Sequence, residues 1–143
     1  MMYILDTNVV SELRKIHAGK AAPNVAVWAE SIDAAELFVS IVTIMELESG
    51  VLAMERKDAT QGALLRSWLE QHVLPEFSGR TLPIDTVVAQ RCARLHIPDK
   101  RSERDALIAA TALVHGMTVV TRNVADFQPT GVAMLNPWEA LPS

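Results

Sequence analysis

The chain has 143 residues, 50% of them hydrophobic and 5% aromatic, enough for one domain, residues 1–143, with a sizeable core. Its formal net charge of −4 speaks against a broad nucleic-acid-binding surface, and a single cysteine, Cys92, excludes an internal disulfide and any multi-cysteine zinc site. Met1 to Leu5 is apolar but breaks at Asp6 without a basic lead-in, and the longest apolar stretch, Ala106 to Val114, is too short to span a bilayer. The expectation is a soluble, cytoplasmic protein with no membrane partner.

In chain order, Tyr3 to Leu5 reads as a short buried strand, with Thr7 capping a helix from about Asn8 to Arg14. Lys15 to Pro23 is a loop. Asn24 starts a helix with Val25, Trp28 and Ile32 on one face. Leu37 to Ser40 is the second strand, and Thr43 opens a helix striped by Ile44, Leu47, Val51 and Met54. Leu64, Leu65, Trp68 and Leu69 line a helix ending near His72, and Leu82 to Ile84 is a weak strand that Pro83 confines to an edge. Asp85 caps the helix of Val88, Cys92 and Leu95, which Pro98 ends; Glu103 to His115 is a helix closing on Gly116. Thr118 to Thr121 and Val132 to Leu135 complete the strands.

Strands alternating with helices predict an α/β fold, a three-layer α/β/α sandwich with a mostly parallel sheet of about five strands. Such sheets bind ligands beyond the carboxyl ends of their strands. Asp6 follows the first strand, Asp126 lies five residues after Thr121, and Glu46 and Asp105 begin helices whose first turns can face the same edge. Four carboxylates brought together need a common counter-charge. A hard divalent cation with oxygen ligands supplies it and points to metal-assisted phosphodiester hydrolysis. Two such ions would bring the chain's formal −4 to zero.

Each acid also has an ordinary explanation. Thr43 with Glu46, and Ser102 with Asp105, fit capping boxes; Asp6 can cap a helix, and Asp126 can make an Asx turn. Context weighs against four separate coincidences. The helix after Asp105 is apolar on all sides, so its first turn is partly desolvated, and the face of Glu46 carries Ser49, Gly50 and Ala53, small enough to let another element approach. Asn8, Thr121 and Asn123 offer neutral groups near the same edge, and Arg122 a phosphate-seeking guanidinium. The basic clusters Arg14-Lys15-His17-Lys20, Arg56-Lys57 and Lys100-Arg101-Arg104 read equally well as solvated surface.

No G-x-G-x-x-G, Walker A or G-x-S-x-G pattern occurs, and the four histidines lack zinc-site spacing. An aspartate-nucleophile phosphohydrolase attacking through Asp6 wants a second Asp two positions on, where Asn8 stands. A catalytically silent module that uses the fold for protein binding, its acids serving as caps, is the other alternative.

Leu5-Asp6-Thr7-Asn8, Ile41 to Gly50 around Glu46, Arg104-Asp105 through Ala112, and Thr121-Arg122-Asn123 with Asp126-Phe127 together resemble a PIN domain over essentially the whole chain. Within that family the chain resembles VapC-type ribonuclease toxins of toxin-antitoxin pairs; Val42 to Glu46 and Leu135-Asn136-Pro137-Trp138 look nearest to the FitB-like branch. The resemblance implies a Mg2+- or Mn2+-dependent ribonuclease with Asp6, Glu46, Asp105 and Asp126 as catalytic metal carboxylates. Asn8, Thr121 and Asn123 would support them, and Arg122 would contact phosphate or antitoxin. It further implies an RNA substrate, a DNA-binding antitoxin that covers the active-site groove across helices near Trp28 and Leu64 to Leu69, a homodimer, and a toxin-antitoxin hetero-oligomer. Replacing Asp6 or Asp105 by Asn is expected to leave the fold as stable or more so, by relieving like-charge repulsion.

Overall fold

Five strands, β1 (Tyr3–Leu5), β2 (Leu37–Ser40), β3 (Thr81–Leu82), β4 (Thr118–Val120) and β5 (Met134–Leu135), form one parallel sheet in the order β3-β2-β1-β4-β5. They belong to a computed structural model that describes residues 1–140. The connections are helical: α1 (Thr7–Leu13), α2 (Pro23–Glu30), α3 (Ile41–Lys57), α4 (Ala59–Trp68), α5 (Leu74–Glu76), α6 (Thr86–Leu95), α7 (Glu103–His115) and α8 (Val124–Phe127). Alternation along the strands builds two cores on opposite faces of the sheet. Tyr3, Leu5, Leu37, Val39 and Val120 pack with Val9, Val10, Trp28, Leu47 and Val51. Ile4 and Val119 pack with Ile108, Ala109, Ala112 and Phe127. The three-layer α/β/α sandwich expected from the sequence is the fold observed.

The central strand β1 delivers Asp6, the residue just after it, to the carboxyl edge of the sheet: Leu5 pairs with Val120, and the Asp6 amide donates to the Val120 carbonyl at 2.9 Å. Thr7 is not the cap of α1, as its sequence suggested. Asp6 is, with φ −69° and ψ 158° and its carboxylate accepting from the Thr7 amide at 2.7 Å. A capping residue needs extended backbone, and a chain just leaving a strand already has it. Ser40 repeats the device at the end of β2: it caps α3 through the Val42 amide at 3.0 Å, so α3 begins at Ile41, and Thr43 is buried inside it.

The remaining differences are local. Trp28 sits in the core, edge-on to Tyr3 with ring centroids 5.6 Å apart. The helix expected to end near His72 continues from α4 through a π-helical turn, Leu69–Val73, into α5. The edge strand β3 is two residues long because Pro83 ends it. Helix α7 matches its expected limits, closed by Gly116 at φ 68°. Among the described residues no helix is long and apolar enough to cross a membrane.

Candidate active site at the carboxyl edge of the sheet

Asp6 is 0% exposed, and its carboxylate is held from every side. Oδ1 accepts from the Thr7 amide at 2.7 Å and from Arg104 Nη2; Oδ2 accepts from Thr121 Oγ1 at 2.7 Å and Asn8 Nδ2 at 3.4 Å. Three elements meet there: the end of β1, the end of β4, and the first turn of α7. Glu46, in the second turn of α3, receives the Thr7 hydroxyl on Oε1 and Arg104 Nε on Oε2, both at 2.5 Å. Asp105 accepts from Arg104 Nη1 at 2.7 Å, and its amide is capped by Ser102 Oγ at 3.5 Å. One guanidinium thus places each of its three nitrogens on a different carboxylate.

The basic cluster Lys100-Arg101-Arg104 reads equally well as solvated surface from sequence, and the structure decides against that for Arg104. A signal was available: a cation in the first turn of a helix opposes the dipole, so an arginine at the second position of the buried helix α7 calls for a nearby anion. Burial works against the charge of Arg104, but the hydrogen bond to Glu46, the charge of Asp6 and the bonds to Asp6 and Asp105 outweigh it, raising its pKa above the ordinary value. Thr7 was likewise underestimated. Its hydroxyl links Arg104, at 3.3 Å, to Glu46.

Asp126 does not join the other three on Arg104. It is exposed on α8, just beyond β4, and among the described residues its carboxylate makes no hydrogen bond or ion pair. Asn8 does more than support Asp6: its Oδ1 accepts from the Arg122 amide at 3.4 Å, tying the β1 and β4 ends together. Thr121 Oγ1, besides bonding Asp6, accepts from the Asn123 amide at 3.0 Å, so Asn123 contributes its backbone. The Arg122 guanidinium lies 5.1 Å above the Trp138 ring. Gly50 does not let another element approach: nothing lies within 4 Å of where its Cβ would be. It borders a hollow of about 250 Å³ shared with Thr7, Ser11, Glu46 and Trp68. A larger cleft of about 470 Å³ adjoins it across Trp68, lined by Val10, Leu13, Arg14, Leu64 and His72; buried Trp28 takes no part.

The fold has known counterparts. The PIN domain family model matches residues 3–128. The chain belongs to the PIN domain family. It is 36% identical to VapC ribonuclease Y4jK of Sinorhizobium fredii (strain NBRC 101917 / NGR234), over 96% of this chain and 99% of that protein. It is 35% identical to toxin FitB of Neisseria gonorrhoeae (strain ATCC 700825 / FA 1090), over 96% and 99%. Among solved structures, FitAB bound to an IR36 DNA fragment superimposes with a TM-score of 0.87 at 33% identity, covering 99% of both chains. FitAcB from Neisseria gonorrhoeae gives 0.85 at 34% identity, covering 96% of this chain and 99% of that one. The PIN match spans Asp6, Glu46, Asp105 and Asp126.

The donor set suits a hard cation. Asp6, Glu46 and Asp105 present carboxylate oxygens, with the Thr7 and Thr121 hydroxyls beside them, and nothing soft. Asp6 in particular is fully buried, and its charge needs a cation partner, a place Arg104 fills here. No three acids of the PIN site, however, bring ligand oxygens all within 4.8 Å of one another; among the described residues that spacing is met by Cys92, His96 and Glu103. That trio does not suit a metal. His96 Nδ1 accepts from the Arg101 amide at 3.0 Å, which assigns the neutral ring's proton to Nε2, the nitrogen facing Glu103 at 3.6 Å and Cys92 at 3.9 Å. Burial, and then the charge of Glu103, raise the Cys92 thiol above its ordinary pKa, disfavouring the thiolate a metal would bind.

Proposed function

We propose that this PIN-domain protein is the toxin of a toxin-antitoxin pair and a Mg2+- or Mn2+-dependent endoribonuclease. The observation that carries the reading is Asp6: a wholly buried carboxylate just past the end of the central strand, gathered with Glu46 and Asp105 around the Arg104 guanidinium. The names of its relatives, a VapC ribonuclease and the toxin FitB, supply the reaction class and the biological setting.

Asp6 and Asp105 would hold the ion, Glu46 would bind it directly or through water, and Asp126 would complete the acidic rim from α8. The ion's chemistry would be to lower the pKa of a bound water and to stabilise charge on phosphate oxygens. Thr121 and Asn8 orient Asp6 by hydrogen bonds to Oδ2, and the Thr7 hydroxyl fixes Glu46. Arg122, at the same edge, is suited to a phosphate outside the cleavage position. The cleft beside Trp68, with Leu64, Leu13 and Arg14, suits a segment of the antitoxin with apolar and acidic side chains. Its solved relatives include FitAB on DNA, and we extend that assembly, with a toxin homodimer inside it, to this chain.

The test is RNA cleavage by purified toxin in Mn2+, with chelator as control. Asp6→Asn is expected to reduce cleavage by at least about a hundredfold, the lower range for loss of one charge-stabilising group, with the circular dichroism of the fold retained. Cleavage by the folded variant at the wild-type rate would leave the silent protein-binding module as the better reading.

A further inference from the structure

We infer that Arg104 is a built-in counter-ion that trades places with the divalent cation: the guanidinium and the ion occupy the carboxylate cluster alternately, never together. The inference rests on the metal-dependent reading above and adds to it how the site is kept closed when no metal is bound.

Acceptor capacity is the first argument. An ionised carboxylate has about four lone-pair positions, and those of Asp6 are taken by the Thr7 amide, Arg104 Nη2, Thr121 Oγ1 and Asn8 Nδ2. A cation binding Asp6 must therefore displace a donor. Three of these donors are fixed by the fold. The Thr7 amide belongs to the first turn of α1, Thr121 follows β4, and Asn8 is tied to the Arg122 amide. Arg104 is held by its side chain alone, and that side chain is 31% exposed, so a path to solvent is open.

Geometry is the second argument. The three nitrogens of Arg104 spread Asp6, Glu46 and Asp105 around one planar group, and with it in place these three acids do not bring one oxygen each within 4.8 Å of one another. Charge supplies the driving force for exchange. Three carboxylates and one guanidinium sum to −2, which draws in a divalent ion, and a compact ion can approach three oxygens more closely than a planar fork can. Arg104 thus offsets the repulsion of the acids in the metal-free protein and competes with the metal for them.

Two measurements test the exchange. First, Mn2+ is titrated calorimetrically into chelator-treated wild type and Arg104→Gln. An ion that must wait for Arg104 to leave binds with an affinity reduced by the fraction of molecules in which it has left, so the variant is expected to bind Mn2+ about tenfold or more tighter. Equal or weaker binding by the variant, with wild type binding normally, overturns the exchange and leaves the metal site standing. If neither protein binds Mn2+, the metal-dependent reading falls, and the exchange with it. Second, the Nε–H resonance of Arg104 is followed in 15N-labelled wild type during Mg2+ titration; this also decides the matter if the variant does not fold. The proton bonded to Glu46 is expected to lose its protection from solvent exchange as the site saturates. A resonance that stays protected at saturation overturns the exchange, and it also identifies tighter binding by the variant as a through-space charge effect.

Discussion

At the scale of single residues, the arginine among the acids reverses the sign of a stability effect. Four carboxylates read from the sequence suggest mutual repulsion, and hence stabilisation when Asp6 becomes Asn. With Arg104 in place the balance differs, because Asp6 is the buried half of an ion pair and accepts four hydrogen bonds. An amide offers one carbonyl oxygen where the carboxylate offered two, and its NH2 group would point at a donor. Arg104 keeps Glu46 and Asp105 as partners, so its charge is not stranded and the full cost of breaking a buried pair is not incurred. Asp6→Asn is expected to destabilise the metal-free protein by about 1–3 kcal/mol, the cost of leaving a buried donor unsatisfied, as read by urea denaturation in chelator. A higher midpoint than wild type would mean that repulsion dominates after all.

At the scale of elements, the helices with strong local signals were legible. Asp85 caps α6 at its Val88 amide, and Gly116 closes α7, because these stops and starts are written in a few adjacent residues. Thr7 and Thr43 carry the local helix-start signal, yet Asp6 and Ser40 cap α1 and α3, because their capping conformation comes from the strand before them, a tertiary circumstance. The convergence of Asp6, Glu46 and Asp105 was legible from the topology rule for parallel sheets, whereas the direction of the Arg104 side chain is settled only by what surrounds it. Two helical glycines show the same limit, since nothing local distinguishes them. A Cβ on Gly62 of α4 would lie 2.4 Å from the Glu55 Cα in α3, while one on Gly50 would meet nothing within 4 Å. The close approach at Gly62 is reinforced by Arg66 of α4, which bonds Glu48 and Glu55 of α3. Gly62→Ala must push two helix backbones apart and is expected to cost about 1–3 kcal/mol. Gly50→Ala should instead stabilise by about 0.5–1 kcal/mol. Urea midpoints moving in the same direction for both variants would contradict the packing described.

For the whole molecule, the proposed ribonuclease activity raises the question of how a protein of net charge −4 would engage a polyanion. Much of its arginine is committed internally: Arg66 to Glu48, Glu55 and Glu70, Arg80 to the Ala34 and Leu37 carbonyls and to Glu76, Arg101 to the Leu95 carbonyl, and Arg104 to the acidic site. Arg122, stacked on Trp138 at the functional edge, keeps its guanidinium available for phosphate. Binding should therefore rest on a few phosphates beside the site, not on a basic face. For single strands log K falls with log salt at a slope of about −0.7 per neutralised phosphate, so two or three contacts give about −1.4 to −2.1. Fluorescence anisotropy of labelled RNA with the Asp6→Asn protein, expected to be cleavage-deficient, across a KCl series at constant free Mg2+, measures that slope. Adding Arg122→Ala should make it shallower by about 0.7 while leaving calorimetric Mn2+ affinity, measured in the wild-type background, unchanged. A slope near −5 would require about seven phosphate contacts, more than the uncommitted cations near this edge can supply, and would place RNA on another face of the molecule. Loss of metal affinity in Arg122→Ala would instead make that arginine a structural partner of the acids.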